Sequence, residues 1–415
     1  MDQDPPLAWL HANLTMKAAQ TSRRRAALRP VAVGGDLAER QVVGPEGPLT
    51  GLVVVDLTRF LAGPYCTHIL GNMGARVIKV DPPGGDKVRG DAGFFTAVNL
   101  GKESIMLDLN DAEAVKVLDR LLDSADVLVE NFVPGAMERL GYGWEAVHRR
   151  WPRLIMCSIS GYGQTGPDAK LPAMDIVAQA RSGIMSVTGF EGSPPCGLGT
   201  QLGDMGGGLF GALGVQSALL GRERTGEGCH VDVSMLDAAT TWLIPLMPRI
   251  AGGAPQPPRK GAASYNSAPF DVFPCSDGRH LAIVGVPDKF WISICHVLGA
   301  PELVQDQRFL SNGRRLKNRL VLTQLLEAEF KKRSMREWSD ALKREGVPCE
   351  PVSNIADVLS DPQLKARRML ETTPEGYVVP GNPVKLSAWP KLDDRAKQLR
   401  TSTLDGDGQR LRSRL

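Results

Sequence analysis

Asp204 is the residue whose type and setting most suggest chemistry. It lies in GTQLGDMGGGLFGALGVQSALL, residues 199–220, just ahead of three consecutive glycines that open an otherwise apolar, helix-like run. Gly206, Gly207 and Gly208 have no Cβ, so a bulky substrate can come close to the backbone. N–H groups at a helix start can also stabilise a developing oxyanion. A carboxylate beside such donors can act as a nucleophile and carry an acyl group. The competing role is a helix N-cap, with the glycines serving close helix packing, and from spacing alone capping is the commoner use of such an aspartate.

Other chemistries find less support. The first strand-to-helix turn reads LTRFLAGPY and not GxGxxG, so a nicotinamide oxidoreductase is the weaker hypothesis, although Asp81 mimics a ribose-binding acid. GYGQTGP, residues 161–167, is a glycine loop after a strand, suited to a moving lid or to a simple turn. Six scattered histidines form no HxxxH or HExxH spacing, so no metal site is expected. Seven cysteines lie far apart without CxxC pairs, which suits a reduced intracellular compartment.

These residues need elements to hold them. GLVVVDL (51–57), RVIKV (76–80), DVLVE (126–130) and RLIMCSIS (153–160) read as buried parallel strands. Helices are expected between them: one over 65–73 stopped by Gly74, one with Asn110 and Glu113 at capping-box spacing, and one near 136–140. Strands alternating with helices predict an open parallel α/β sheet, with ligands at the carboxyl ends of its strands. Past GGAPQPPRKG (252–261), RHLAIVGV (279–286) reads as a strand. Residues 288–298 and 334–345 read as helices, the second with Ser334 and Glu337 as a capping box, and a further helix starts at Asp361-Pro362.

The organisation expected is an N-terminal extension over 1–48, a large α/β domain over 49–250, a linker over 251–261, a smaller α+β domain over 262–345, and a return segment with tail over 346–415. A chain of 415 residues with 42% hydrophobic and 23% charged residues has room for such a pair of cores. A net charge of +3 argues against a dedicated nucleic-acid surface but leaves room for local basic sites for a phosphorylated ligand, and the most apolar run, 207–220, is too short for a membrane span and holds Gln216. Both ends carry address-like features. MKAAQTSRRRAALRPVAVGG from Met16 is basic, as in a mitochondrial presequence, though Asp2 and Asp4 precede it and a disordered arm is the alternative. Ser413-Arg414-Leu415 resembles a peroxisomal tripeptide. The compartment expected is thus cytoplasmic in a bacterium, and peroxisomal or mitochondrial in a eukaryote.

Eight stretches together resemble the family III CoA-transferases, which include formyl-CoA transferase, carnitine CoA-transferase and 2-methylacyl-CoA racemase. They are VVDLTRFLAGPY (54–65), GARVIKVDPPGGD (74–86), SIMLDL (104–109), ADVLVENFVPGAMERLGYG (125–143), SISGYGQTGP (158–167), MDIVAQARSG (174–183), LGDMGGG (202–208) and TGEGCHVDVSMLDA (225–238). They keep one order along residues 49 to 390. The resemblance implies an interlocked homodimer with a Rossmann-like large domain, no tightly bound cofactor, and acyl-CoA and a small carboxylic acid as substrates. Succinyl-CoA is the donor to try first.

In this family the aspartate at the position of Asp204 is the nucleophile and forms an aspartyl-CoA thioester, which reverses the preference for a cap. The resemblance places Arg59, Ala62, Leu107, Asn131, Phe132, Ala136 and Arg139 around CoA, with Arg89 as a further phosphate candidate and Met235 touching the ligand. Asp175 falls beside the nucleophile, or caps the DIVAQA helix. Three departures carry information. The racemase branch has a histidine where this chain has Met174, which neither gives nor takes a proton, so racemase activity is the runner-up. Glu103 stands where many relatives carry a basic residue. The long glycine loop of formyl-CoA transferase is absent from 250–275, which weakens formyl and oxalyl transfer as the specific reaction.

Overall fold

The computed structural model describes residues 46–394 and 399–415; the basic segment from Met16, with its presequence-like reading, lies outside them. Six parallel strands form the sheet that positions the site: β1 Val53–Asp56, β2 Arg76–Asp81, β3 Glu103–Met106, β4 Val127–Glu130, β5 Ile155–Ser160 and β6 His230–Ser234. Their order is β3-β2-β1-β4-β5-β6. Every residue of β1, β4 and β5 is buried, because helices cover both faces of a parallel sheet; that is why these strands read as continuous apolar runs. The two edge strands go beyond the four expected. ESIM opens on a glutamate that Arg76 and Arg410 neutralise, and HVDVS alternates at a half-exposed edge, so neither gives a long apolar signal.

Helices fill the crossovers. α1 (Ala62–Asn72) takes Ala62, Gly63 and Pro64 into its first turn, earlier than the expected start at 65, since a proline there has no partner to lose. Gly74, at φ +101°, ends it. α2 (Ala112–Asp123) is capped by Asp111, whose side chain accepts the Glu113 N–H, and not by Asn110 as the spacing suggests. α3 (Ala136–Arg139) and α4 (Trp144–Arg150) follow β4. α5 (Asp175–Ser182), the long α6 (Leu202–Thr225) and α7 (Met235–Thr241) complete this part.

A second apolar core is built around a three-stranded antiparallel sheet of β7 (Phe270–Pro274), β8 (His280–Val284) and β9 (Cys349–Pro351). α8 (Asp288–Leu298), α9 (Arg319–Phe330) and α10 (Met335–Arg344) pack on it through Trp291, Phe330 and Trp338. The expected Ser334–Glu337 capping box opens α10, and Asp361 caps the helix at Pro362. The chain then returns to β3. The Asp407 N–H donates to the Ser104 carbonyl, and α11 (Gly408–Arg414) buries Leu411 in the core of the large sheet with Leu415 packed beside it. The tripeptide 413–415 therefore ends a docked helix. Among the described residues no helix is long and apolar enough to cross a membrane, and no His, Cys, Asp and Glu cluster could hold a metal ion.

The strand order reverses between β1 and β4, and the loops leaving their carboxyl ends diverge there to leave a crevice, the usual ligand position in such sheets.

Candidate active site

A cleft of about 390 Å³ opens at that crevice. The loop after β1 contributes Phe60, Leu61 and Ala62; the loop after β4 contributes Asn131, Phe132, Val133 and Pro134. Ile159, Ser160 and Gly161 form the floor, and Leu171 to Met174 with Val177 form the outer wall. Asp204 and Met235 enter from α6 and α7. The cleft thus unites five predicted residues: Asp204, Ala62, Asn131, Phe132 and Met235. None of its lining residues is Lys or Arg.

Asp204 is the third residue of α6, and Gln201 is the N-cap, so Asp204 does not cap the helix. That work falls to Asp175, whose Oδ1 accepts the N–H groups of Gly203 (2.6 Å) and Asp204 (3.2 Å). Asp175 is the first residue of α5, whose own N-cap is Met174, so it caps the neighbouring helix and not DIVAQA. Its Oδ2 accepts Gln179 Nε2 at 2.6 Å, and Gln179 Oε1 accepts the Leu198 N–H at 2.9 Å. These bonds fix the entry to α6 from both sides. Burial, and then the nearby negative charge of Asp175, push the Asp204 carboxyl up to about 6.

Of the two roles the sequence allows for the glycines, room for a substrate and close helix packing, the contacts show the second. A Cβ on Gly208 would stand 2.6 Å from the Ala62 carbonyl oxygen and 3.1 Å from the Cys66 nitrogen, so this glycine lets α1 and α6 cross in contact. Gly206 packs on Ala238 and Trp242, and Gly207 on Ile159 and Met235. The space they leave is filled by protein and not by substrate. Nor are the α6 N–H groups free. Leu202 donates to Thr200, Gly203 and Asp204 donate to Asp175, and Met205 donates to Gln201; Gly206 and Gly207 lie beyond the first turn, where N–H groups bond within the helix. Two helix starts at this cleft have no side-chain cap, α1 at Leu61 and α5 at Met174.

The remaining predicted residues lie around the cleft. Arg59, Leu107 and Phe132 line an adjoining hollow of about 150 Å³, with the Arg59 guanidinium 5.1 Å from the Phe132 ring centre. Arg139 faces a broader groove of about 1020 Å³ that shares Pro134 with the cleft; Trp144, Lys170 and His230 also line it. Ala136, the first residue of α3, is half-buried and lines neither space. Arg89 is brought to none of them. Its guanidinium pairs with Asp81 at 2.6 Å, donates to Ser104 and the Ser402 carbonyl, and stacks over Phe95. The same pair removes Asp81 as a ribose ligand.

Sequence reasoning missed several residues. Phe60, at φ +64°, has an aromatic side chain in a backbone region that carries no local signal. Leu171, Pro172 and Val177 give the cleft an apolar wall, and Met174 stands there with no proton to move. Glu130, buried at the end of β4, accepts the Phe132 N–H at 2.7 Å; burial raises its carboxyl to about 7 against the bonds from Ser158 and Phe132.

The model of CoA-transferase family III matches residues 49–397. The chain is 43% identical over 374 residues to an acetyl-CoA:oxalate CoA-transferase of Acetobacter aceti, covering 86% of this chain and 96% of that protein. It is 35% identical over 326 residues to a succinyl-CoA:glutarate CoA-transferase of Mus musculus, covering 76% and 74%. A crystal structure of a CaiB/BaiF family protein from Brucella suis superposes with a TM-score of 0.81 at 36% identity, covering 89% of this chain and 99% of that one.

Proposed function

This chain belongs to CoA-transferase family III, and from that premise we propose that it moves CoA from an acyl-CoA to a carboxylic acid by way of Asp204. The observation that carries the reading is a carboxylate held up to about 6, in an apolar cleft at the topological switch point, on a helix start fixed by Asp175. Such a group is ionised at neutral pH yet poorly solvated, which favours attack on a thioester carbonyl.

The steps balance without a proton. An Asp204 carboxylate oxygen attacks the donor carbonyl carbon, the C–S bond breaks, and CoA leaves as thiolate from an acyl-aspartyl anhydride. The thiolate attacks the aspartyl carbonyl and expels the donor carboxylate, leaving an aspartyl-CoA thioester. An acceptor carboxylate then attacks that carbonyl and releases thiolate again. Thiolate attack on the acceptor carbonyl gives the new acyl-CoA and restores Asp204. Each step passes through an oxyanion. With the α6 N–H groups occupied by Asp175 and by carbonyls, the uncapped starts of α1 at Leu61 and Ala62 and of α5 at Met174 are the remaining sources of donors.

CoA itself is assigned to the two spaces beside the cleft, each of which holds an arginine. Arg59 and Arg139 suit its phosphates, Phe132 and Leu107 suit apolar contact with adenine or pantetheine, and the apolar cleft takes the thioester. Asn131 contributes through the loop, since both ends of its amide bond the Arg59 backbone. Succinyl-CoA and acetyl-CoA head the donor panel, and oxalate belongs on the acceptor panel despite the missing glycine loop. A homodimer belongs with this function, because α6 exposes Leu209, Leu213 and Leu220 along one face, and the exposed Trp242 lies 6.4 Å from the Phe210 ring of the same helix. An intracellular compartment follows from the substrates. The test is initial-rate kinetics with paired donors and acceptors: parallel double-reciprocal lines and donor-dependent exchange of labelled acid support the covalent route, and strictly intersecting lines with no exchange oppose it.

A further inference from the structure

The turn after β1 is held at five successive backbone groups by the buried side chains of Asp56, Lys79 and Asp86 and the half-buried Asn131. Asp56 Oδ1 accepts the Thr58 N–H (2.8 Å), and the Thr58 carbonyl accepts Lys79 Nζ (2.7 Å). Asn131 Oδ1 accepts the Arg59 N–H and its Nδ2 donates to the Arg59 carbonyl, both at 2.8 Å. Asp86 then accepts the Phe60 N–H through Oδ2 at 3.2 Å and Oδ1 at 3.4 Å. Asp86 and Lys79 pair at 3.3 Å, with 0% and 1% of their side chains exposed. The outcome is Phe60 at φ +64°, a conformation that a bulky side chain adopts only when its surroundings over-determine it.

What is held this way is a wall of the cleft. Phe60 lines the space that Asp204 enters and keeps 42% of its surface exposed, so it is not there to fill a core. Asp86, on the segment after β2, lines none of the spaces around Asp204. The reaction gives such a wall a purpose. An acyl-aspartyl anhydride open to water hydrolyses to two acids, and the transfer is lost as acyl-CoA hydrolysis. A fixed aromatic ring in the wall of the cleft that holds the nucleophile keeps water from that carbonyl.

We propose that Asp86, backed by Lys79, is a positioning residue for the transfer reaction: by holding Phe60 in a left-handed backbone it sets the aromatic wall that shields the Asp204 intermediate from water. This rests on the covalent reading of Asp204. The readout is the ratio of acyl transfer to acyl-CoA hydrolysis, which a merely structural role would leave alone even if both rates fell. Phe60→Gly, which keeps the backbone and loses the ring, lowers the ratio about tenfold or more. Asp86→Ala, or Asp86→Leu if the alanine variant does not fold, lowers it similarly. Combining either with Phe60→Gly adds little, because glycine takes the left-handed backbone unaided. Asp86→Asn, which keeps an oxygen for the Phe60 N–H, restores most of the ratio.

A wild-type ratio in Phe60→Gly, or in a folded Asp86→Ala or Asp86→Leu, overturns the proposal, as do strictly additive effects in the double variants. Mass analysis of each variant after incubation with acetyl-CoA separates the two readings. If Asp204 never carries an adduct, the covalent reading has failed; if it does so in every variant while the ratio stays fixed, only the wall has failed.

Discussion

Asp175 reaches from α5 to close the start of α6, its Oδ1 accepting the N–H of Asp204 at 3.2 Å and of Gly203 at 2.6 Å. One carboxylate thereby positions the backbone of another and raises its pKa through space.

A pH profile reads this coupling. Only ionised Asp204 attacks, so kcat/KM rises with pH through about 6 and levels above it. Asp175→Asn removes the neighbouring charge and moves this acid limb to lower pH. An unmoved limb in that variant means that burial alone sets the Asp204 pKa.

Two glycines of α6 give opposite stability effects. Gly208→Ala sets a Cβ against the Ala62 carbonyl and the backbone of α1, and thermal unfolding should show a loss of about 1–3 kcal/mol. Gly221→Ala meets nothing within 4 Å in the interior of the same helix and should gain about 0.5–1 kcal/mol from helix propensity.

Glu130 couples stability to pH. Its folded carboxyl, at about 7, lies above its ordinary 4.5, so its contribution to stability is complete below about 4.5 and is lost as pH rises through 7. Glu130→Gln keeps an acceptor for the Phe132 N–H and cannot ionise. Denaturant melts should show the variant gaining on the parent between those pH values, by about 1–3 kcal/mol at pH 8.

Arg139 provides a test of the CoA assignment. Arg139→Ala should raise the KM for acyl-CoA roughly tenfold with kcat little changed, the pattern of lost uniform binding. An equal fall in kcat would place this residue in the chemistry and not in phosphate binding.

How much of this was legible in the sequence depended on what each residue packs against. The inner strands β1, β4 and β5 declare themselves because both faces are buried, whereas β3 and β6 sit at edges and carry charged or alternating residues. The triple glycine allows close helix packing as one of its two readings, but the partner helix is not legible, since the contact between α1 and α6 joins segments more than a hundred residues apart. Arg89 reads as a phosphate candidate in the sequence, whereas its pairing with Asp81 at 2.6 Å depends on the packing of the loop after β2 and is not legible there. Phe60 was beyond reach: its left-handed backbone is imposed by Asp86 from another loop, and nothing in its own neighbourhood calls for it.

The covalent role of Asp204 is tested most directly by trapping. The protein is incubated with succinyl-CoA or acetyl-CoA, quenched with hydroxylamine, and the peptide holding residue 204 is weighed by mass spectrometry. The expected product is a hydroxamate on Asp204, formed only with an acyl-CoA present, with no CoA transfer by Asp204→Ala or Asp204→Asn. An unmodified Asp204 during active CoA exchange, or full transfer activity in Asp204→Ala, would contradict the covalent role.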